Sequence, residues 1–201
     1  TTLGNASGQV ITTGSSNTAI GSDAGVLIGT GSENVLVGRY AGNQLTTGRN
    51  TAIGNESLYS LTTGQYNTAL GYAAGRYITA GTGNITSGNS VYLGYDARAS
   101  ADGNTNEIVI GYQARGNGSN TITLGNTSIV STILQGSVGI GTTSPNASAL
   151  LDVSSTTKGF LPPRMTNAQM TAIATPAAGL VVYDTTNNKL NYYNGTAWTA
   201  L

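Results

Sequence analysis

The chain has 201 residues, eight Lys plus Arg balanced by eight Asp plus Glu, and no histidine or cysteine. Zero formal charge without a basic run leaves little for binding nucleic acid by counterion release. The missing cysteine excludes disulfides and thiolate chemistry, and the missing histidine removes the commonest general base and metal ligand. Only 8% of residues are charged, and Gly, Ser, Thr and Asn make up nearly half of the chain. Ile, Val and Thr are nevertheless too plentiful and too regularly placed for a disordered segment, so a repetitive fold with neutral polar faces is expected. No apolar run approaches the ~20 residues of a membrane helix, so no membrane insertion is expected.

From the N-terminus, short apolar runs close on glycine: TTLG at Gly4, NTAIG at Gly21, NVLVG at Gly38, NTAIG at Gly54 and NTALG at Gly71. The series goes on through SVYLG at Gly94, EIVIG at Gly111, TITLG at Gly125 and SVGIG at Gly141. The steps are 17, 17, 16, 17, 23, 17, 14 and 16 residues. Near-constant spacing of this kind marks a solenoid. A small residue follows three places after most of these glycines, as at Ser7, Ala24, Ala41, Ser57, Ala74, Ala97 and Ala114. A second phrase then begins on an aliphatic residue: ITTG at Ile11, LTTG at Leu45 and Leu61, ITAG at Ile78.

Each unit therefore holds two extended pieces and two turns, too short for a helical repeat. Thr, Ile and Val suit the extended pieces, and Asn and Gly are expected to supply the positive-φ corners. The reading is all-β: a parallel β-solenoid, or β-roll, of about nine short coils over residues 1–141. Its core is expected at Ile20, Val37, Ile53, Leu70, Leu93, Ile110, Leu124 and Ile140. So few aliphatics make a thin core for one chain. A homotrimer that turns these residues inward would thicken it. The longest step implies an inserted loop at Gly81–Ser90.

Three tyrosines, Tyr72, Tyr95 and Tyr112, directly follow an aligned glycine. They read either as a ladder of stacked rings or as a strip on which sugars stack. The eight acids are scattered, with Asp96, Asp102 and Glu107 the densest group. A glycan-cleaving enzyme would need two of them opposed across one groove, and the segment YDARASADGNTNE lacks the spacing of a calcium loop. No catalytic residue, metal site or cofactor is expected.

After Gly141 the period stops. Residues 142–165 read as a neck with a turn at Ser144-Pro145, a short strand at Ala149–Val153 and the stiff pair Pro162-Pro163. Residues 166–201 read as a small antiparallel meander with one short helix. The helix is expected over Asn167–Ala174, opened by a capping box at Thr166 and Gln169 and stopped by Pro176. GLVVYD and KLNYY are strands, and Asn194-Gly195 turns the chain into TAW. Alternation places Tyr192 and Tyr193 on opposite faces. One is expected in the core, and the other, with Trp198, is a candidate receptor contact.

The phrases NTAIGSDAG, NVLVGRYAG and NTALGYAAG resemble the head repeats of YadA-type trimeric autotransporter adhesins. With their longer unit and TTG phrase, they are still more similar to repeats of bacteriophage tail fibres. The segment from SVGIGTTSPN to YYNGTAW is similar to one common in phage tail fibres. The resemblance implies a trimeric, left-handed parallel β-roll in a structural and adhesive fibre. It implies a virion location, other fibre or tail proteins as partners, and a host cell-surface glycan or protein receptor. A bacterial adhesin head at the cell surface, a glycan-degrading tailspike and a Thr-rich ice-binding solenoid are the alternatives.

Overall fold

The computed structural model describes all 201 residues, and the chain divides into two compact units, 1–132 and 133–201. The first unit is a β-solenoid. Its strands are β1 (Thr2–Leu3), β2 (Thr18–Ile20), β3 (Val35–Val37), β4 (Thr51–Ile53), β5 (Thr68–Leu70), β6 (Val91–Leu93), β7 (Ile108–Ile110) and β8 (Ile122–Leu124). They form one parallel sheet in chain order, and each aligned phrase lies in register on the next, as in Thr51↔Thr68, Ala52↔Ala69 and Ile53↔Leu70. Strands of three residues cannot hold themselves extended. The ladder does so, because each coil donates its backbone hydrogens to the next at the strand and again at the corner, as from Gly25 to Ala41 and from Gly42 to Ser57.

The glycine that closes each phrase has two physical reasons. Gly54 sits at φ +133°, and a Cβ there would lie 2.4 Å from the carbonyl oxygen of Gly71 in the next coil. Its counterparts Gly4, Gly21, Gly38, Gly71 and Gly94 share the same conformation and the same close approach. A side chain at this column would meet both backbone strain and a clash with the coil above.

The residues expected to fill the core do not fill it within one chain. Alternation along a strand puts its first and third residues on one side and its middle residue on the other. The third residues point out of the coil: Ile20, Ile53, Leu70, Leu124 and Ile140 are exposed, and Val37, Leu93 and Ile110 are half-buried. The chain's own core is built from the middle residues Ala19, Leu36, Ala52, Ala69, Tyr92 and Val109, which face Ile28, Leu45, Leu58 and Leu61. Where the middle residue is alanine, as at Ala19, Ala52 and Ala69, the larger residues between the strands fill the interior, and at Leu36, Tyr92 and Val109 the strand itself supplies the bulk.

The inserted segment widens one coil. It forms a small hairpin, with Tyr77 bridged to Gly83, and returns at Ile85, whose carbonyl accepts from Thr62. This wider coil encloses Tyr92, the one fully buried tyrosine, beside Asn84 and Ser87.

In the second unit, the ninth phrase forms β9 (Val138–Ile140), which pairs in parallel with β10 (Leu151–Val153) as a separate two-stranded sheet. Then come β11 (Arg164–Met165), α1 (Asn167–Thr171), β12 (Val181–Asp184), β13 (Lys189–Tyr193) and β14 (Trp198–Ala200). The last three strands form the expected meander, but β11 joins it in parallel, so the sheet is mixed. The capping box is present at Thr166 and Gln169, and the helix ends earlier than expected, at Thr171. Its buried residue, Met170, packs over the sheet face that carries the buried Val182.

Candidate functional site

The outward face of the solenoid sheet carries two columns of side chains. One column runs Leu3, Ile20, Val37, Ile53, Leu70, Leu93, Ile110, Leu124, and beside it run Thr18, Val35, Thr51, Thr68, Val91, Ile108 and Ile122. A contiguous aliphatic stripe of this length, with Leu70 at 52% exposure, marks a surface made to be covered. Exposed apolar residues continue beyond the ladder: Val130 near the end of the first unit, and Ile133, Leu150, Leu151, Phe160 and Leu161 in the second.

The asparagine that opens NTAIG was expected at a corner. It is instead a buried, hydrogen-bonded rung. Asn17, Asn34, Asn50 and Asn67 are all buried and stack into a ladder. The Asn34 backbone and side-chain amides both donate to Asn17 Oδ1 at 3.0 Å, and Asn67 does the same to Asn50 Oδ1 at 3.0 and 3.1 Å. The Asn50 amide also donates to the carbonyls of Gly48 and Gly64. The positive-φ corner lies one residue earlier, at Ser16, Glu33, Arg49 and Tyr66. The signal that this asparagine had another role was its recurrence where the preceding residue varies freely.

The ladder then changes character. Ser90 takes the fifth position and Glu107 the sixth, linked by the Asn67 Oδ1 bond to Ser90 and the Ser90 hydroxyl bond from the Glu107 N–H. Glu107 is fully buried, and its carboxylate accepts from the backbone of Ser100 and Gly118 and from the Asn104 amide.

The other two acids of that segment are held separately. Asp96 accepts two bonds from Arg98, both 2.9 Å, and one from Arg115 at 3.3 Å. Asp102 accepts from the Ile85 and Thr86 N–H groups. Partial burial pushes the Asp102 carboxyl up, but these donors outweigh it and leave it below the usual carboxylate range. No group of three or more acidic side chains converges anywhere in the chain.

The three candidate tyrosines are brought together. Tyr72 stacks on Tyr95 with centroids 5.2 Å apart and planes at 13°, and Tyr95 on Tyr112 at 5.3 Å and 19°. Stacking turns the faces of Tyr95 toward its neighbours, so the column offers ring edges and hydroxyls outward rather than a flat platform. A second aromatic row runs along another corner. Arg76 lies 4.8 Å from the Tyr59 ring and 4.5 Å from the Tyr77 ring, and is paired with Glu56.

In the second unit, Tyr192 and Tyr193 do lie on opposite sheet faces, and both are half-buried. Tyr193 contacts Trp198 edge-on, with centroids 5.5 Å apart and planes at 62°. On the same face, Asp184 is buried and accepts from the backbone of Thr186 and Asn187 and the side chains of Asn167 and Asn187. Burial pushes the Asp184 carboxyl up, and the Asn187, Thr186 and Asn167 donors more than reverse it, holding the group below the ordinary value.

These features define a β-solenoid protein with an outward apolar face and a small mixed-sheet unit after it. Residues 139–201 match the family described as the phage tail like trimerisation region. The matched stretch is just under a third of the chain and does not reach the solenoid ladder. It supports a phage tail fibre-like protein and formation of a homotrimer. No curated protein and no solved structure matches the chain.

Proposed function

We propose that this chain is a structural segment of a phage tail fibre that acts as a homotrimer and carries a contact surface for a host-surface receptor. The observation that carries this reading is the pairing of an exposed aliphatic face along the whole ladder with a match to a phage tail-like trimerisation region. Three copies that turn these faces toward a common axis remove the apolar stripe from water and give each thin coil a second core. Such a segment supplies length and stiffness. The Asn ladder suits that task, because each rung is tied to the next by buried hydrogen bonds, and the stacked tyrosines add ring contacts between coils.

The repeat phrases resemble YadA-type heads and, with their longer unit, still more the tail-fibre repeats, and both resemblances imply a trimeric β-roll. A bacterial cell-surface location draws no support from the match. The role is non-catalytic in this reading, since Asp96, Asp102 and Glu107 are each held by a separate donor set. An ice-binding face is disfavoured for a similar reason: the Thr46, Thr47 and Thr62 hydroxyls donate to carbonyls of the following coil.

Mass photometry and sedimentation of the chain at micromolar concentration test the assembly. The expected mass is three times the 20.3 kDa of one chain. A folded monomer that stays stable and soluble overturns the reading.

A further inference from the structure

The second unit contains a cleft between α1 and the adjacent face of the β12–β14 sheet, with a volume of about 760 Å³. That lies within the range of small-ligand sites. Its lining includes Trp198, Lys189, Asn191, Asn187, Asn167 and Asp184. We propose that this cleft binds a pyranose ring of a host-surface glycan, with Trp198 as the platform and Lys189 and the asparagine amides as the polar contacts. The inference names the ligand class within the receptor-contacting role proposed above, and rests on that reading.

The chemistry follows from how the groups are held. The buried Asp184 carboxylate takes four donors from Thr186, Asn187 and Asn167. Its acceptor capacity is thereby used, and its effect is to fix two asparagine side chains at the rim. Both give their amide nitrogens to Asp184, which leaves each Oδ1 atom to accept from a hydroxyl. Asn191, buried and in the cleft lining, donates its amide nitrogen to the Lys189 carbonyl, which likewise leaves its Oδ1 to accept. Lys189 forms no ion pair within the chain, so its ammonium is a mobile donor for hydroxyl or carboxylate oxygens.

Trp198 is braced edge-on by Tyr193. One face of a pyranose presents several C–H bonds, whose weak positive charge meets the negative face of an indole. An indole, fixed acceptors and one cation lining the same cleft suit a polyhydroxylated ring.

A second copy of the chain fits this cleft less well. Subunit interfaces are depleted in Lys and Asp at their cores. The opposite sheet face presents Val181, Tyr183, Leu190 and Tyr192, all half-buried, and is the apolar surface suited to a subunit.

Trp198 is the sole tryptophan of the chain, so at constant pH its emission reports on the surroundings of this cleft. The assembled protein is titrated with methyl glucoside, methyl galactoside, N-acetylglucosamine and glucuronic acid under selective tryptophan excitation. Saturation-transfer NMR on the same sugars gives a readout for variants that lack the indole. The expected result is a saturable emission change with at least one sugar. Lys189→Gln and Trp198→Phe should bind it roughly tenfold more weakly with an unchanged oligomer.

The inference is overturned by the absence of any emission change or transfer signal. It is also overturned by binding that both variants leave intact, or by a Trp198 that acrylamide cannot quench in the oligomer, since a partner copy would then occupy the cleft. Adsorption of labelled protein to host cells separates the two readings. Cells that bind wild type and Lys189→Gln equally retain the receptor role and dismiss the cleft. Cells that bind neither dismiss the receptor role itself.

Discussion

The two units solve the same problem in opposite ways. Seventeen of the nineteen buried apolar residues lie in the solenoid, and only Met170 and Val182 lie in the C-terminal unit. The solenoid gives its inner coils an apolar interior and a parallel strand on either side, and a ladder of buried amides ties four of them together, so each inner rung is closed by its neighbours. The C-terminal unit has a helix of five residues, two small sheets and a run of exposed Leu and Phe between them. A domain of that size with so small a core calls for a further staple, such as association with partner chains. Repetition along one chain stabilises the first unit, and association between chains is expected to stabilise the second.

The widest separation between the two should follow from breaking assembly. Replacing Leu70 and Ile53 with Asp places two charges on each copy of the outward face. We expect loss of the trimer, rapid amide exchange across residues 133–201, and retained protection in the solenoid strands. Uniform exchange in both units would mean that the solenoid also depends on its partners.

Within the solenoid, the glycine column should be the most sensitive site. Gly54→Ala forces a side chain into a positive-φ position 2.4 Å from a carbonyl of the next coil. A loss of about 4 kcal/mol is expected from strain and overpacking together, read as a lowered melting temperature of the β signal. The amide ladder comes next. Asn50→Ala removes the acceptor for two donors of Asn67 and two donors of its own. Leaving buried groups unpaired should cost about 3 kcal/mol, and denaturant melts of the variant check it.

The smallest effect expected is acid sensitivity, and it should be felt first where stability is lowest. Asp184 and Asp102 both titrate below their ordinary value in the folded chain. Their contribution is therefore complete above the unfolded value of about 3.9 and is lost as pH falls through the depressed folded values. Trp198 emission should report loosening of the C-terminal unit below about pH 4, and Asp184→Asn should flatten that transition while weakening the unit at neutral pH. An unchanged acid transition in the variant would remove Asp184 from the account.

Much of the fold was legible in the sequence because a solenoid repeats its instructions. The spacing of Gly21, Gly38, Gly54 and Gly71 gave the coil length, and the capping box gave the start of the helix. The side of the strand that faces inward was harder. Thr-Ala-Ile places its largest residue third, and size alone suggests that Ile20 or Ile53 is core. The interior instead takes the alanine, because Ile28, Leu45 and Leu61 from the second phrase already fill it. The C-terminal cleft was only partly legible. Trp198 and the two tyrosines stood out by type, but Lys189, Asn187 and Asn167 look like ordinary turn and surface residues until Asp184 gathers them.

The sequence by itself determined the period, the all-β character, the corner glycines and the end of the repeat, since each depends on local sterics or on counting along the chain. Tertiary structure decided which face of each strand is interior, that the recurring asparagine is a buried rung rather than a corner, and which polar groups meet beside Trp198. Those outcomes depend on what the neighbouring coil or strand brings to the same point in space, and one-dimensional spacing does not contain that.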